Sequence, residues 1–128
     1  MKLRIRGNTI RLRLTQSEVK TFGKTGEVLD EIGMGPDPSD KLSYGLSVSD
    51  ETGSVQAMFT GHRITVAVPR NMALDWVYGD DVGFSGEQAA NGSGNLSILV
   101  EKDFECLKKR PGEDESDSFP NPGKGAAC

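Results

Sequence analysis

The sequence predicts a mostly β fold with two short helices, arranged as two tandem ββαββ units around one shared core with pseudo-two-fold symmetry. Three observations support this prediction. Apolar and polar residues alternate in several short runs separated by Gly-containing turns. The predicted element types recur in the same order along the chain. A constant shift of 54 residues aligns the two halves.

The first unit starts with the segment KLRIRGNTIRLRL, in which charged and aliphatic residues alternate on both sides of Gly-Asn-Thr. This pattern is typical of a β-hairpin. With Asn8 and Thr9 as the loop, the predicted cross-strand pairs are Gly7–Ile10, Arg6–Arg11, Ile5–Leu12, Arg4–Arg13 and Leu3–Leu14.

A short helix, a strand, a loop and a further strand are predicted after the hairpin. Thr15 or Ser17 is expected to cap the helix, which extends to Phe22 before two glycines end it. The two strands are predicted around residues 27–32 and 42–48. The segment between them is rich in Gly and Pro, and these residues prevent regular structure.

The second unit repeats this order. Residues 54–59 and 64–68 flank a second predicted hairpin turn, a helix follows Pro69, and two more strands enclose a Gly-rich loop. Phe22 and Trp76 fall at equivalent helix positions and are expected to pack in the core. The shift of 54 aligns Gly7 with Gly61, Phe22 with Trp76, and Val28 with Val82.

The chain length of 128 residues fits one compact domain. We expect this domain to cover residues 1–106, with units of about 1–52 and 54–106. Residues 107–128 are predicted to form a flexible acidic tail, because four acidic residues fall within the five positions 113–117 and prolines follow.

The composition limits the classes of function. The formal net charge of −4 argues against bulk non-specific binding of nucleic acid, but it permits a local basic site. No stretch reaches the apolar length of a membrane span, and the N-terminus lacks a secretory pattern, so a cytoplasmic location is predicted. Cys106 and Cys128 lie far apart without metal-ligand spacing, and no metal or cofactor is predicted.

The order of strand, Gly-containing turn, strand, helix, Gly-rich turn and two strands resembles the AbrB-like and MazE-like swapped-hairpin family. The second half carries the better match, TGHRITVAVPRNMALDWVYGDDVGF, with a strand that ends at Pro69 and the step Gly79-Asp80-Asp81-Val82. The first half departs from the pattern at Thr15 and at Gly26-Glu27-Val28. The resemblance implies interleaved hairpins in a cradle-loop barrel, here as a monomeric pseudo-dimer. The whole chain also resembles a group of short bacterial proteins of unknown function.

The densest positive charge lies in the first hairpin. Five of the fifteen basic residues fall there with no acidic residue among them. We call this set the basic ladder: Lys2, Arg4, Arg6, Arg11 and Arg13. Alternation places the ladder on one face of the hairpin. Opposed like charges are destabilising unless an anion lies between them, so the ladder is the predicted site for an anionic partner. A solvated face without a ligand is the alternative.

The predicted function is a non-enzymatic binding module. The family resemblance implies that the arginines of the ladder contact DNA, in a regulatory or antitoxin-like role. The second unit has Met58, Thr60, Thr65 and Ala67 at the equivalent positions, so a symmetric two-fold basic surface is not expected. The alternative is a protein-interaction adaptor whose ladder binds an acidic segment, either of a partner or of its own tail.

The sequence offers no pattern typical of an enzyme. His62 is the single histidine and is predicted to lie in a hairpin turn. Asp80 and Asp81 are expected in a turn before a strand. We find no nucleophile signature and no phosphate-binding glycine loop, so no catalytic residues are predicted.

Overall fold

The structure is a computed structural model that describes residues 1–92, 94–104 and 116–120. These residues form eight strands and two helices. In chain order they are β1 (Lys2–Arg6), β2 (Thr9–Leu14), α1 (Gln16–Thr25), β3 (Glu27–Gly33), β4 (Lys41–Ser49), β5 (Gln56–Thr60), β6 (Arg63–Pro69), α2 (Arg70–Tyr78), β7 (Gly83–Ala89) and β8 (Asn95–Lys102). The prediction of a mostly β fold with two short helices is confirmed.

The strands form two four-stranded sheets. The first sheet has the order β1-β2-β8-β7, and the second sheet has the order β3-β4-β6-β5. Strands β2 and β8 are parallel, as are β4 and β6, whereas the other neighbours are antiparallel. Within the described part of the chain, the strands therefore lie in two sheets and not in the single closed barrel that the sequence predicted.

Side chains connect the sheets where a closed barrel would have backbone ladders. The amide of Gln88 on β7 accepts a hydrogen bond from the N–H of Ala57 on β5 at 2.7 Å and donates one to its carbonyl at 2.9 Å. Near β1 and β3, the amino group of Met1 forms ion pairs with Glu18 and, at 3.6 Å, with Asp30. Because these contacts use side chains and the terminal amine, the sheets stay separate while their edges are held together.

Both hairpins turn at glycines with positive φ. Gly7 has φ of 54°, and in the second hairpin Gly61 and His62 have φ of 57° and 61°. Positive φ at the first central residue alone fits a type II′ turn, whereas positive φ at both fits type I′. Gly7 and Asn8 therefore form the first loop. The observed pairs are Lys2–Arg13, Leu3–Leu12, Arg4–Arg11, Ile5–Ile10 and Arg6–Thr9.

The predicted register of the first hairpin was thus wrong by two residues. It assigned the loop to Asn8 and Thr9, whereas the glycine, which adopts positive φ at no steric cost, takes the first central position. A slip of one residue would reverse the faces of a strand, but a slip of two retains them. The predicted faces of the hairpin therefore hold.

Helix α1 starts with a capping box. The hydroxyl of Thr15 accepts from the N–H of Glu18, and the Glu18 carboxylate accepts from the N–H of Thr15. Thr15 is therefore the cap, one of the two predicted candidates. The helix continues through Gly23 to Thr25 and ends at Gly26 with φ of 78°, so the predicted end at Phe22 was wrong. A Cβ at Gly23 would lie 2.7 Å from a methyl of Val77, so glycine permits α1 and α2 to pack closely there.

One buried cluster joins both sheets and both helices. Phe22 and Trp76, predicted as core residues, are 1% exposed each and pack edge to face with ring centroids 6.1 Å apart. Trp76 also packs against Phe84, at 5.2 Å. The indole N–H of Trp76 donates to the carbonyl of Val82 at 3.1 Å, so its polar atom is satisfied.

The shift of 54 residues does not extend through β3 and β7. Val28 pairs with Leu46, and the equivalent pair in the first sheet is Phe84 with Val100. Val82, which the sequence aligned with Val28, is 45% exposed. The loop after β7 is two residues shorter than the loop after β3, and this difference restores the shift of 54 at β8.

No helix within the described residues is long and apolar enough to span a membrane.

Candidate anion-binding site

The basic ladder lies on the outer face of the first sheet. Leu12 and Leu14 of β2 are fully buried, so the alternating cations of β1 and β2 point away from the core, as predicted. The side chains of Arg11 and Arg13, in the interior of the sheet, are 26% and 22% exposed, whereas Lys2 on the edge strand is 54% exposed. The ladder is thus a surface with a partly buried inner half and an exposed outer half.

Strand β8 supplies two carboxylates to this face. Glu101 lies beside Arg13 in the parallel register, with Oε1 2.5 Å from Nε of Arg11 and 3.7 Å from Nε of Arg13. Asp103, just after β8, places Oδ2 3.2 Å from Nζ of Lys2. The protein itself therefore provides anions for three of the five ladder cations. The repulsion that the sequence predicted is compensated internally at these positions.

Arg4 and Arg6 remain on the exposed part of β1. Among the residues that the structure describes, no carboxylate lies within ion-pair distance of either guanidinium. Together with Thr9, Arg11 and Leu99, they line an open groove of about 310 Å³. Guanidinium groups bind phosphate and carboxylate through paired hydrogen bonds. The groove is therefore suited to a small anionic group rather than to an apolar ligand.

The second sheet has no equivalent of this charged surface. Its hairpin register matches the first, with Gln56–Ala67 in the place of Lys2–Arg13. The residues equivalent to the ladder are Gln56, Met58, Thr60, Thr65 and Ala67. The residues equivalent to Glu101 and Asp103 are Ser47 and Ser49. Cations and their acidic partners are thus present together on one sheet and replaced together on the other.

Glu101 and Asp103 were missed by the sequence analysis, although a signal for them existed. The shift of 54 residues, which aligns the ladder with uncharged residues of the second unit, also aligns Glu101 with Ser47 and Asp103 with Ser49. Two acids spaced by two residues lie on one face of a strand. The second half thus has two acids where the first half has two serines, and it lies opposite a first half that carries the cations. This difference could have indicated that β8 lies beside the ladder.

The segment Ser116–Pro120, within the predicted acidic tail, contacts α1 and the end of β8. The N–H of Gln16 donates to the carbonyl of Asp117 at 3.1 Å, and the N–H of Phe119 donates to the carbonyl of Asp103 at 2.7 Å. The ring of Phe119 lies 5.7 Å from Nζ of Lys102. The acids at 113–115, and the rest of the predicted tail at 107–115 and 121–128, lie outside the described residues.

Among the residues that the structure describes, the other candidate residues do not converge on a site. His62 is exposed in the turn between β5 and β6, as predicted. Cys106 and Cys128 lie outside the described residues. Residues 1–92, 94–104 and 116–120 contain no group of three or more His, Cys, Asp or Glu side chains that could hold a metal ion.

The fold and the site define a small β-rich domain with a basic groove on one sheet. The chain belongs to a family of unknown function, DUF7009, whose family model matches residues 1–123. The predicted likeness of the whole chain to a family of unknown function is therefore confirmed. Neither the curated proteins nor the solved structures gave a match.

Proposed function

We propose that the chain is a non-enzymatic binding module that engages nucleic-acid phosphates through Arg4 and Arg6. One observation carries this proposal. The protein neutralises Lys2, Arg11 and Arg13 with its own carboxylates, whereas Arg4 and Arg6 have no such partner among the described residues. Unpaired cations beside other cations are costly, and a bound phosphate offsets this cost.

The position of the groove supports a contact with a nucleic-acid backbone. β1 is an edge strand, and Arg4, Ile5 and Arg6 near the hairpin tip are all exposed. Exposed β-ribbons can enter the major groove of DNA, with phosphate contacts that fix their orientation. Two unpaired arginines account for about two phosphates, so the expected binding is weak and strongly dependent on salt.

The sheet topology supports the proposal that two ββαββ units exchange hairpins, which the AbrB-like resemblance implies. The hairpin β1-β2 pairs with β8 of the second half, and the hairpin β5-β6 pairs with β4 of the first half. We propose a DNA-binding or antitoxin-like regulatory role on this basis. Because only one hairpin carries cations, the contact is one-sided and does not follow a symmetric operator.

A salt titration tests the nucleic-acid proposal. The affinity of a labelled duplex DNA and a duplex RNA is measured for the wild type and for the double variant Arg4→Ala/Arg6→Ala. Because the double variant loses two phosphate contacts, its slope of log K against log salt should be less negative than that of the wild type by about 1.8. Arg63→Ala, which removes an exposed cation from the second sheet, is the matched control and should leave the slope unchanged. Absence of wild-type binding to both duplexes at low salt would contradict the proposal.

The second candidate function is an adaptor for an acidic protein segment. The specific observation in its favour is that the ladder already binds carboxylates, those of Glu101 and Asp103. If the chain's own acids at 113–115 compete for the groove, their replacement by Gln should increase nucleic-acid affinity. This variant is preferable to truncation, because truncation at Arg110 would also remove the contacts of Asp117 and Phe119. Unchanged affinity would count against a role for the tail at the ladder.

A further inference from the structure

The groove of the basic ladder has an apolar side chain in its lining as well as cations. This side chain is Leu99 of β8, which lies beside Arg11 in the parallel register and faces outward with it. Leu99 is half-buried, whereas Ile98 and Val100 on either side of it are 1% and 0% exposed. In the described strands of the first sheet, the other outward side chains are polar, charged or small. The groove therefore combines one apolar contact with several cations.

The second sheet covers the corresponding point with its own side chain. The shift of 54 residues places Gly45 where the first sheet has Leu99. Leu29 of β3 lies over Gly45, because a Cβ at Gly45 would collide with a methyl of Leu29. In the first sheet, the neighbour of Leu99 on β7 is Ser85, whose side chain is a short hydroxymethyl group. The apolar contact is thus filled by the chain on one sheet and open to the groove on the other.

Arg11, the neighbour of Leu99, is held in place by Glu101. Its Nε lies 2.5 Å from Oε1 of Glu101, and the two side chains are only 26% and 20% exposed. A guanidinium whose edge binds a carboxylate attracts a phosphate less strongly, but its flat face can still stack on an aromatic ring. Adjacent strands lie about 5 Å apart, so Arg11 and Leu99 form one surface on which a planar ring can lie. We call this pair of side chains the platform.

Arg4 and Arg6 lie on the other side of the groove, next to the platform. They are two residues apart on β1, about 7 Å along the strand, which is comparable to the separation of consecutive phosphates in a nucleic-acid strand. Arg4 is the cross-strand neighbour of Arg11. Thr9 is exposed in the same lining and adds a hydroxyl that can donate to or accept from the edge of a base. The groove therefore has separate places for phosphates and for a base.

We propose that the groove binds single-stranded nucleic acid, with an unstacked base on the platform of Arg11 and Leu99 and the adjacent phosphates on Arg4 and Arg6. A single strand exposes the faces of its bases, which a duplex keeps stacked inside. The volume of about 310 Å³ lies at the lower end of the range for ligand sites and suits one nucleotide. This inference rests on the proposed function, because the phosphates bring the strand to the groove, and it adds a contact with the base.

The test separates the base from the phosphates. Wild-type protein is titrated with a labelled single strand of about 12 nucleotides, within the site sizes of proteins that bind single strands, and with the same strand made abasic. The abasic strand keeps the phosphates and should bind about tenfold more weakly, the loss expected for one stacked base. Each strand is prepared as DNA and as RNA, and the type that shows the larger loss is the one that the platform recognises.

A variant of the platform and a matched control complete the test. Leu99→Thr should weaken binding of the intact strand about fivefold, because threonine suits a β-strand but lacks most of the apolar contact. Its affinity for the abasic strand and its slope of log K against log salt should equal those of the wild type, since the phosphate contacts are unchanged. Leu29→Thr changes an exposed leucine on the outer face of the second sheet and should have no effect on binding.

Equal affinity of the wild type for the intact and abasic strands would overturn the single-strand proposal. If that binding still depends on salt and is lost in Arg4→Ala/Arg6→Ala, the phosphate proposal stands. Equal weakening of both strands by Leu99→Thr would also count against the platform, because the loss would then not involve the base. Absence of salt-dependent binding to every strand and duplex would contradict both proposals.

Discussion

Glu101 determines how much positive charge the ladder presents. Its carboxylate contacts Arg11 closely and Arg13 more loosely, and its side chain is only 20% exposed. Partial burial reduces screening by solvent, so one carboxylate can compensate two neighbouring guanidiniums more effectively than it could at the surface. For Arg11 and Arg13, the balance between folding and anion binding therefore depends on Glu101.

We predict that Glu101→Gln lowers the stability of the fold and strengthens its binding of anions. The variant should lose about 0.5–1 kcal/mol of stability, the range for a partly exposed ion pair. It should also bind duplex DNA with a slope of log K against log salt that is more negative by about 0.9, since Arg11 becomes available to a phosphate. Urea denaturation and the salt titration measure the two effects. Glu87→Gln, on the exposed part of the same sheet, is the control, and an equal slope in both variants would contradict the prediction.

Individual residues of the ladder could be predicted from the sequence, but their partners could not. Alternation alone places Arg11 and Arg13 on the face opposite Leu12, and this holds in the structure. The pairing with Glu101 depends on a parallel strand about ninety positions further along the chain. No local pattern encodes such a neighbour, because parallel pairing needs a long connection.

The two helices differ in how their first turns are satisfied. α1 has the Thr15–Glu18 capping box, whereas α2 follows Pro69 without a side-chain cap. A helix of ten residues is marginal in isolation, so tertiary packing and caps together determine its stability. The cap on α1 also positions Glu18, whose carboxylate pairs with the amino group of Met1. The start of α1 thus connects a helix cap to the edge of the first sheet.

We predict that Thr15→Ala lowers the free energy of unfolding by about 1 kcal/mol, because it removes the hydroxyl that accepts from the Glu18 N–H. Thr21→Ala on the exposed face of the same helix is the matched control. Its hydroxyl donates to the Ser17 carbonyl within the same helix and caps no helix end, so a change within about 0.5 kcal/mol is expected. Urea denaturation of both variants measures the difference. Similar losses in the two variants would contradict a specific role for the cap.

The order of the elements could be predicted from the sequence more reliably than their alignment. The two hairpins and helices follow the shift of 54, but β7 is displaced so that Phe84 takes the place predicted for Val82. Both residues are apolar, and alternation does not distinguish positions two residues apart. The contact of Phe84 with Trp76 decides the alignment, and that contact exists only in the folded protein.

At the scale of the whole molecule, the alternation of apolar and polar residues along the chain predicts the β-rich class but not how the sheets meet. Closure into a barrel would require backbone pairing between edge strands, and the structure instead places the Gln88 amide against Ala57. The contact joins residues from different sheets that the sequence does not relate. The contact between Gln88 and Ala57 therefore arises only when the two sheets pack together, and the sequence does not predict it.

The segment Ser116–Pro120, which follows the predicted domain of residues 1–106, contacts the start of α1 and the end of β8. Phe119 packs against the core cluster and against Phe104, with ring centroids 5.7 Å apart. Its N–H bonds the carbonyl of Asp103, whose carboxylate also binds Lys2 of the ladder. The segment thus lies next to one end of the ladder without covering Arg4 and Arg6. Its contribution to stability can be separated from any effect on the ladder.

We predict that Phe119→Ala lowers the free energy of unfolding by about 1–2 kcal/mol, because a half-buried aromatic ring loses part of its apolar contact. Ser118→Ala is the control, since Gln16 contacts Ser118 through its backbone carbonyl, which the substitution retains. Hydrogen exchange at the amide of residue 119 should become faster in Phe119→Ala and stay unchanged in Ser118→Ala. Equal stability of both variants would show that this segment rests on the domain without contributing to its folding.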